Sequence, residues 1–442
     1  MTAASPTGPK GHPITGNLRE FRRDPLDFLT RCQRTYGDFV PIRLGPVRAV
    51  LLCDPQAIDE VLSATGRRFT RHYLLRLSGT LLGRGLFTSD GELWQRERRL
   101  IQPAFHRQEV ASFADVMVKN AEQHVERLHD GEERHLHADM MRVTLENVAR
   151  TLFDADVSGD ADEVGTALKV VMDNFLARLE MALPPPEWLP TPRNRRLRRA
   201  IRQLDTIIHR LIAEHRDGGF DRGDMLSMLL RIQAADPAVM TDRQIRDESM
   251  SLFTGGHEPV AAGLSWIWYL LAQHPEVEAE LCRELDQVLH GRPPAAGDLA
   301  NLRYTEMVVK ESMRLYPPAW AFDRKATADC EVAGRPVKAG TLIFMVQWVL
   351  HRDPRFFPDP EEFRPARWSD GGLGLPKYAY FPFGGGPRFC IGNSFAMMQT
   401  VLVVATMLQR VSFRLVEGQQ VEPQPTITLR PRNGLRMRVV RR

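Results

Sequence analysis

Three observations make this chain mainly α with a smaller β region, an α+β fold. Helical apolar patterns run at about 109–182, 195–235, 242–273 and 391–408. Alternating, β-branched patterns are confined to roughly 39–70, 320–350 and 420–442. No linker divides them. The Pro-rich stretch Pro184 to Pro192 and the run Gly291 to Gly297 are short and flanked by helical patterns, so one domain over 1–442 is expected. A hydrophobic content of 43% with 26% charged residues supports an ample core.

The elements follow in order. After a Pro/Gly-rich leader, a helix is expected near Leu26 to Thr35. The run Phe39 to Cys53 alternates around Gly45-Pro46 and reads as a hairpin. Asp54-Pro55 opens a helix, with Asp as N-cap and Pro at the first helical position. From Phe69 to Ser89 there are glycines and hydrophobics without a clean period, which suits a loop that touches substrate. Asp90 begins another helix, placing Trp94 and Arg98 four apart on one face. The helical stretches after it break at Pro184-Pro185-Pro186.

A continuous helix over Asp242 to Gln273 would be about 50 Å long. It contains Gly255, Gly256 and Pro259, which cost an isolated helix roughly 1 kcal/mol per glycine and about 3 for the proline. Two readings stay open: a break between two helices, or a distorted groove lined by small residues. His257 reads as an ordinary helix residue. Further on, Glu311 and Arg314 lie one turn apart, and alone such a pair is usually a surface ion pair. Strands are expected around Gly334 and Gly340, and Asn433-Gly434 gives a C-terminal hairpin signal whose first strand, near Thr426 to Thr428, is a candidate to reach substrate.

The densest local pattern is Phe383-Gly-Gly-Gly-Pro-Arg-Phe-Cys-Ile-Gly392. Three glycines and Pro387 describe a tightly bent backbone that permits close approach. Cys390 then stands at the mouth of an apolar helix, where free N–H groups favour a thiolate. A lone cysteine is ordinarily a buried structural one. A thiolate beside Phe383, Phe389 and the cationic Arg388 instead suits a soft axial ligand under an apolar, anionic macrocycle, and haem is the natural candidate.

That ten-residue pattern resembles the haem-binding loop of the cytochrome P-450 family, and other signatures follow in the family's order. The resemblance implies a triangular helical prism, with haem b between the long central helix and the Cys-loop helix. It assigns Cys390 as the iron ligand and Trp94, Arg98, Arg324 and Arg388 as haem-propionate contacts, with Phe383 against the haem. Arg offers a bidentate carboxylate contact that Lys cannot. Glu311, Arg314 and Arg367 match the family's buried structural cluster. The break at Pro184 falls where the family carries a lid.

In the long helix the family has Ala/Gly-Gly-x-Asp/Glu-Thr, and this chain has Gly255-Gly256-His257-Glu258-Pro259. The acid Glu258 and the small residue Gly256 are kept as catalytic positions. Pro259 replaces the threonine and supplies neither hydroxyl nor N–H. Fatty-acid peroxygenases of the superfamily also carry proline there, paired with an arginine where this chain has Glu258. The resemblance therefore implies a monooxygenase that inserts one oxygen atom of dioxygen into a hydrophobic small molecule, a terpenoid or fatty acid. A hydrogen-peroxide-dependent peroxygenase is the alternative, and a non-catalytic haem sensor a further one. Electrons would come from NAD(P)H through a separate ferredoxin or flavodoxin and its reductase.

Composition bounds the remaining partners. The 59 basic and 55 acidic side chains give a net charge of +4, too small to imply nucleic-acid binding. Arg193, Arg195, Arg196, Arg198, Arg199 and Arg202 cluster locally, as a solvated helix face or as a surface for a membrane or an acidic partner. Five scattered cysteines without a CxxC point to a reducing compartment, without disulfides or zinc. The N-terminus has no apolar signal region, and the longest apolar runs, Leu342 to Leu350 and Val401 to Leu408, are too short to span a bilayer. A cytoplasmic monomer without a membrane anchor is expected.

Overall fold

The computed structural model describes residues 8–71, 79–180, 185–219, 223–371 and 373–442. The chain forms two compact units. The first is built from the described residues up to 71, from 176–180 and from 313–390; the second takes 79–175, 185–312 and 391–442 wherever described.

The first unit carries a five-stranded sheet in the order Phe39–Leu44, Val47–Leu52, Leu342–Met345, Phe322–Ala326, Phe69–Thr70. The expected hairpin is there, antiparallel from Phe39↔Leu52 to Leu44↔Val47, with Gly45 at φ +64° in its turn. Its second strand pairs in parallel with Leu342–Met345. Both expected helices form beside it. Pro25–Tyr36 starts on Asp24, whose side chain accepts from the Asp27 N–H, and Pro55–Ser63 starts on Asp54, which accepts from the Ala57 N–H. Each cap satisfies an orphan donor of the first turn, and each proline stands where no N–H is needed. Phe28, Leu29, Leu51, Ile58, Leu62 and Ile343 anchor the core between these helices and the sheet.

Helices dominate the second unit. The long helix is unbroken from Asp242 to Gln273, capped by the Thr241 side chain accepting from the Gln244 N–H. It packs against Leu136–Leu152, Pro192–Gly218 and Asn393–Leu408. The last of these is apolar on every side and buried from Met398 to Leu408, as a helix enclosed within a core must be. The helical pattern at 109–182 resolves into Arg107–Ser112, Ala114–Glu126, Leu136–Leu152 and Ala161–Glu180, with a short strand at Glu133–His135 that the sequence reading passed over.

The C-terminal hairpin differs from its expectation. Arg436–Arg441 pairs with Val411–Leu415 and Glu133–His135, while Leu429–Pro431 pairs with Pro423–Pro425. Gly434, at φ +76°, therefore turns the chain between two separate sheets. The tight turn of the paired strands lies at Thr426 to Thr428 instead. Part of the expected substrate loop at Phe69 to Ser89, and Pro184 of the expected lid, lie outside the described residues.

Candidate active site

In the first unit the glycine loop is fixed by its own neighbours. Gly386 has φ +64°, its N–H donates to the Tyr378 hydroxyl at 3.1 Å, and a Cβ there would stand 2.2 Å from the Leu62 carbonyl oxygen. A Cβ on Gly385 would stand 2.1 Å from the Tyr378 ring. Protein packing alone thus requires both glycines. The Cys390 N–H donates to the Phe383 carbonyl at 3.1 Å and closes the loop, while the Phe383 and Phe389 rings meet edge to face at 6.5 Å. Cys390 is exposed, whereas Cys32, Cys53 and Cys282 are buried and Cys330 is half-buried. Burial pushes the Cys53 thiol well up and the Cys32 thiol up to about 11, so those two are poor thiolates.

Two buried arginines belong to the same unit. Arg324 lies on the strand Phe322–Ala326, donating through Nε to the Thr65 hydroxyl at 3.0 Å and through Nη1 to the Asp323 carbonyl at 2.6 Å. Arg388 ends the short 3-10 turn Gly386–Arg388 within the loop. An exposed thiol with buried guanidinium groups in one unit is a donor set that fits a soft-metal macrocycle carrying carboxylates.

Arg314 and Arg367 are buried too, and both grip backbone. Arg314 donates to the carbonyls of His351, Pro360 and Glu362 at 2.6 to 2.9 Å, and Arg367 to those of Pro358 and Asp359 at 3.0 and 3.2 Å. His351, which the sequence reading did not single out, accepts from the Phe381 N–H at 3.1 Å, two residues before the loop. Burial, and the charges of Arg314 and Arg352, hold its pKa well below the usual value, so it accepts as a neutral imidazole.

The second unit holds Trp94, Arg98, Gly256, Glu258 and Pro259. Trp94 and Arg98 share the helix Gly91–Ile101, capped by Asp90 as expected, and Trp94 packs onto the apolar core. Between them in sequence, Glu97 is buried and accepts from the Arg96 guanidinium at 3.0 Å, and its charge helps to disfavour ionisation of the buried Glu248 of the long helix. Burial pushes Glu248 up to about 8, against a backbone bond from the Leu86 N–H at 2.8 Å. Neither carboxylate of this pair was singled out in the sequence, because 147–162 residues separate the bonded partners around it.

In the long helix, a Cβ on Gly256 would stand 2.9 Å from a Val148 methyl, so Gly256 lets Leu136–Leu152 approach. Gly255 has nothing within 4 Å of such a Cβ. The helix runs through Pro259 without a break, which removes the reading as two helices. Proline still leaves the Gly255 carbonyl without its usual i+4 N–H. His257 is fully buried, its Nδ1 is 2.7 Å from the Phe253 carbonyl, and burial lowers its pKa to about 4. Glu258 is buried and accepts a hydrogen bond from the Thr428 hydroxyl. Burial raises the Glu258 pKa, against this bond and the positive charge of Arg430.

The family profile named Cytochrome P-450 matches residues 6–437. The chain belongs to the cytochrome P-450 family. It is similar to cyclooctat-9-en-7-ol 5-monooxygenase of Streptomyces melanosporofaciens, with 37% identity over 93% of this chain and 90% of that one. Cyclooctatin synthase of the same organism is 35% identical over 95% of this chain and 92% of the relative. Pentalenene oxygenase of Streptomyces avermitilis is 33% identical over 100% and 98%. This cytochrome P-450 is an oxidoreductase of the monooxygenase type; membership implies a haem, electrons supplied through a reductase, and a hydrophobic substrate. Among the described residues no helix is long and apolar enough to cross a membrane.

Proposed function

We propose that this cytochrome P-450 holds haem b through the Cys390 thiolate and hydroxylates or epoxidises a terpenoid. The observation that carries the ligand assignment is the exposed Cys390 at the closed end of the glycine loop. Haem, once bound, supplies the oxygen-activating chemistry. The chain's own residues hold charge and protons. Arg324 and Arg388, with Trp94 and Arg98, serve the propionates, and Phe383 lies against the haem. Gly256 and Pro259 shape the helix, and Glu258, whose burial favours the protonated carboxyl, is the acid that delivers the proton.

The terpenoid assignment is supported by relatives named for an alkenol and for the hydrocarbon pentalenene. Electrons come from NAD(P)H through a separate ferredoxin or flavodoxin and its reductase to a cytoplasmic monomer. The family match runs through both units and supports reading 1–442 as one catalytic domain. Pro259 favours one second reading, in which hydrogen peroxide replaces dioxygen and electrons.

The test is the carbon-monoxide difference spectrum of the dithionite-reduced protein, followed by turnover. A thiolate-type Soret band that Cys390→Ser abolishes supports the ligand assignment, and a non-thiolate band in fresh protein overturns it. Product formed with redox partners but not with peroxide alone separates the monooxygenase from the peroxygenase.

A further inference from the structure

The long helix lacks a hydroxyl at 259, yet its acid is not without one. Thr428 is buried at 4% exposure, and its Oγ1 donates to Glu258 Oε1 across 170 residues of sequence. The turn that carries it is built so that this hydroxyl is spare. Thr426 closes the turn by itself, donating both its N–H and its Oγ1 to the Thr428 carbonyl at 2.9 and 2.7 Å. Thr428 therefore has no task within the turn that needs its own hydroxyl. The turn is also docked independently on the same helix, because Trp266 Nε1 donates to the Leu429 carbonyl at 2.8 Å, two helical turns beyond Glu258. Arg430 follows on the strand and pairs with Asp173 at 3.1 Å, which leaves a cation near Glu258 without bonding it.

The helix offers one competing hydroxyl. Thr254 lies one turn before Glu258 and so on the same face, and its Oγ1 is buried without a hydrogen-bond partner among the described residues. Glu258 is bonded to Thr428 and not to it.

We infer that Thr428, on the C-terminal turn, is the positioning residue of the Glu258 acid and restores from outside the helix the acid–alcohol pair that Pro259 removes. The inference rests on reading Glu258 as the proton-delivering acid. Thr428 fixes which carboxyl oxygen is bonded and which remains to exchange its proton, so its loss misdirects the acid without removing it. The role should appear in the coupling of electron consumption to product, and less in substrate affinity.

The test uses the full chain with Thr428→Val, Thr428→Ala, Thr428→Ser, Thr254→Val and Glu258→Gln. Two quantities are read. One is the infrared carboxyl C=O band of Glu258, isolated as wild type minus Glu258→Gln, which needs no turnover. The other is product formed per electron pair consumed. Expected results are an up-shifted band and a roughly tenfold to hundredfold fall in coupled product rate for Thr428→Val and Thr428→Ala. Thr428→Ser should restore both, and Thr254→Val should leave the band in place. An unmoved band in Thr428→Val and Thr428→Ala, or loss of coupling in Thr254→Val instead, overturns the inference while Glu258 keeps its role. Unchanged coupling in Glu258→Gln overturns the reading of Glu258 itself. Because Trp266 still holds the turn, the Thr428 variants are expected to fold.

Discussion

Gly386 shows how narrowly single positions are set. Its φ of +64° strains any residue with a Cβ, and the atom in the way is a backbone oxygen of Leu62, which cannot rotate aside. Gly386→Ala should therefore cost about 2–4 kcal/mol in urea unfolding, with a matching fall in haem retention if the loop carries the ligand. Cys390, Phe383, Arg388, Arg324 and Glu258 stand out in the sequence because each sits in a motif that the chain prints locally. Their supports do not. Thr65 behind Arg324, Tyr378 behind Gly386 and Thr428 behind Glu258 are common residue types without local pattern, and only the fold brings them near. The close approach that the three glycines permit is made within the protein itself at two of them, by Leu62 at Gly386 and by Tyr378 at Gly385.

The long helix tests what a sequence pattern says about an element. Its bounds were legible, since Thr241 and the apolar period define Asp242–Gln273. Its continuity was not, because proline argues locally for a break while the buried residues on both sides of it, Met250 to Phe253 and Val260 to Trp268, argue against one. Tertiary packing on Leu136–Leu152 and its other neighbours decides the matter. Pro259→Ala returns an N–H to the Gly255 carbonyl and should stabilise the protein by roughly 1–2 kcal/mol in chemical denaturation, part of the proline penalty being already absorbed by packing. A lower stability would mean that the surroundings are shaped to the proline ring. Asn433-Gly434 failed as a hairpin signal for a related reason. A turn dipeptide fixes a reversal of direction, and partner strands elsewhere fix the pairing, here Val411–Leu415 for Arg436–Arg441.

For the molecule as a whole, buried titratable groups set the pH response. Glu248, held near 8, keeps its proton when folded after it has lost it unfolded, so stability should fall as pH rises from about 4.5 through about 8. Glu97, Glu146 and Glu258, raised chiefly by burial, act in the same direction. His124, His137 and His257, each lowered by burial to about 4, act oppositely, since the unfolded chain takes up their protons first as pH falls below about 6.5. Thermal melts should peak between about pH 6 and 7 and decline on both sides. Glu248→Gln should remove much of the alkaline decline, and a profile that it leaves unchanged would mean that the carboxyl is ionised in the folded protein. The fold class was legible because helical and alternating patterns separate cleanly along the chain; the division into two compact units was not, since each unit gathers segments from distant parts of the sequence.

One pairing in that arrangement bears on how the protein is made. The strand Val47–Leu52 finds its parallel partner Leu342–Met345 almost three hundred residues later. On a ribosome adding about 5–20 residues per second, the early hairpin waits roughly 15–60 s with its apolar edge unmatched. During that interval the edge is open to any other extended segment, so the nascent chain needs slow neighbours, a holding chaperone or low crowding more than it needs a fast-folding N-terminus. Yield in a host should then depend on translation speed and chaperone supply before it depends on the stability of the finished enzyme.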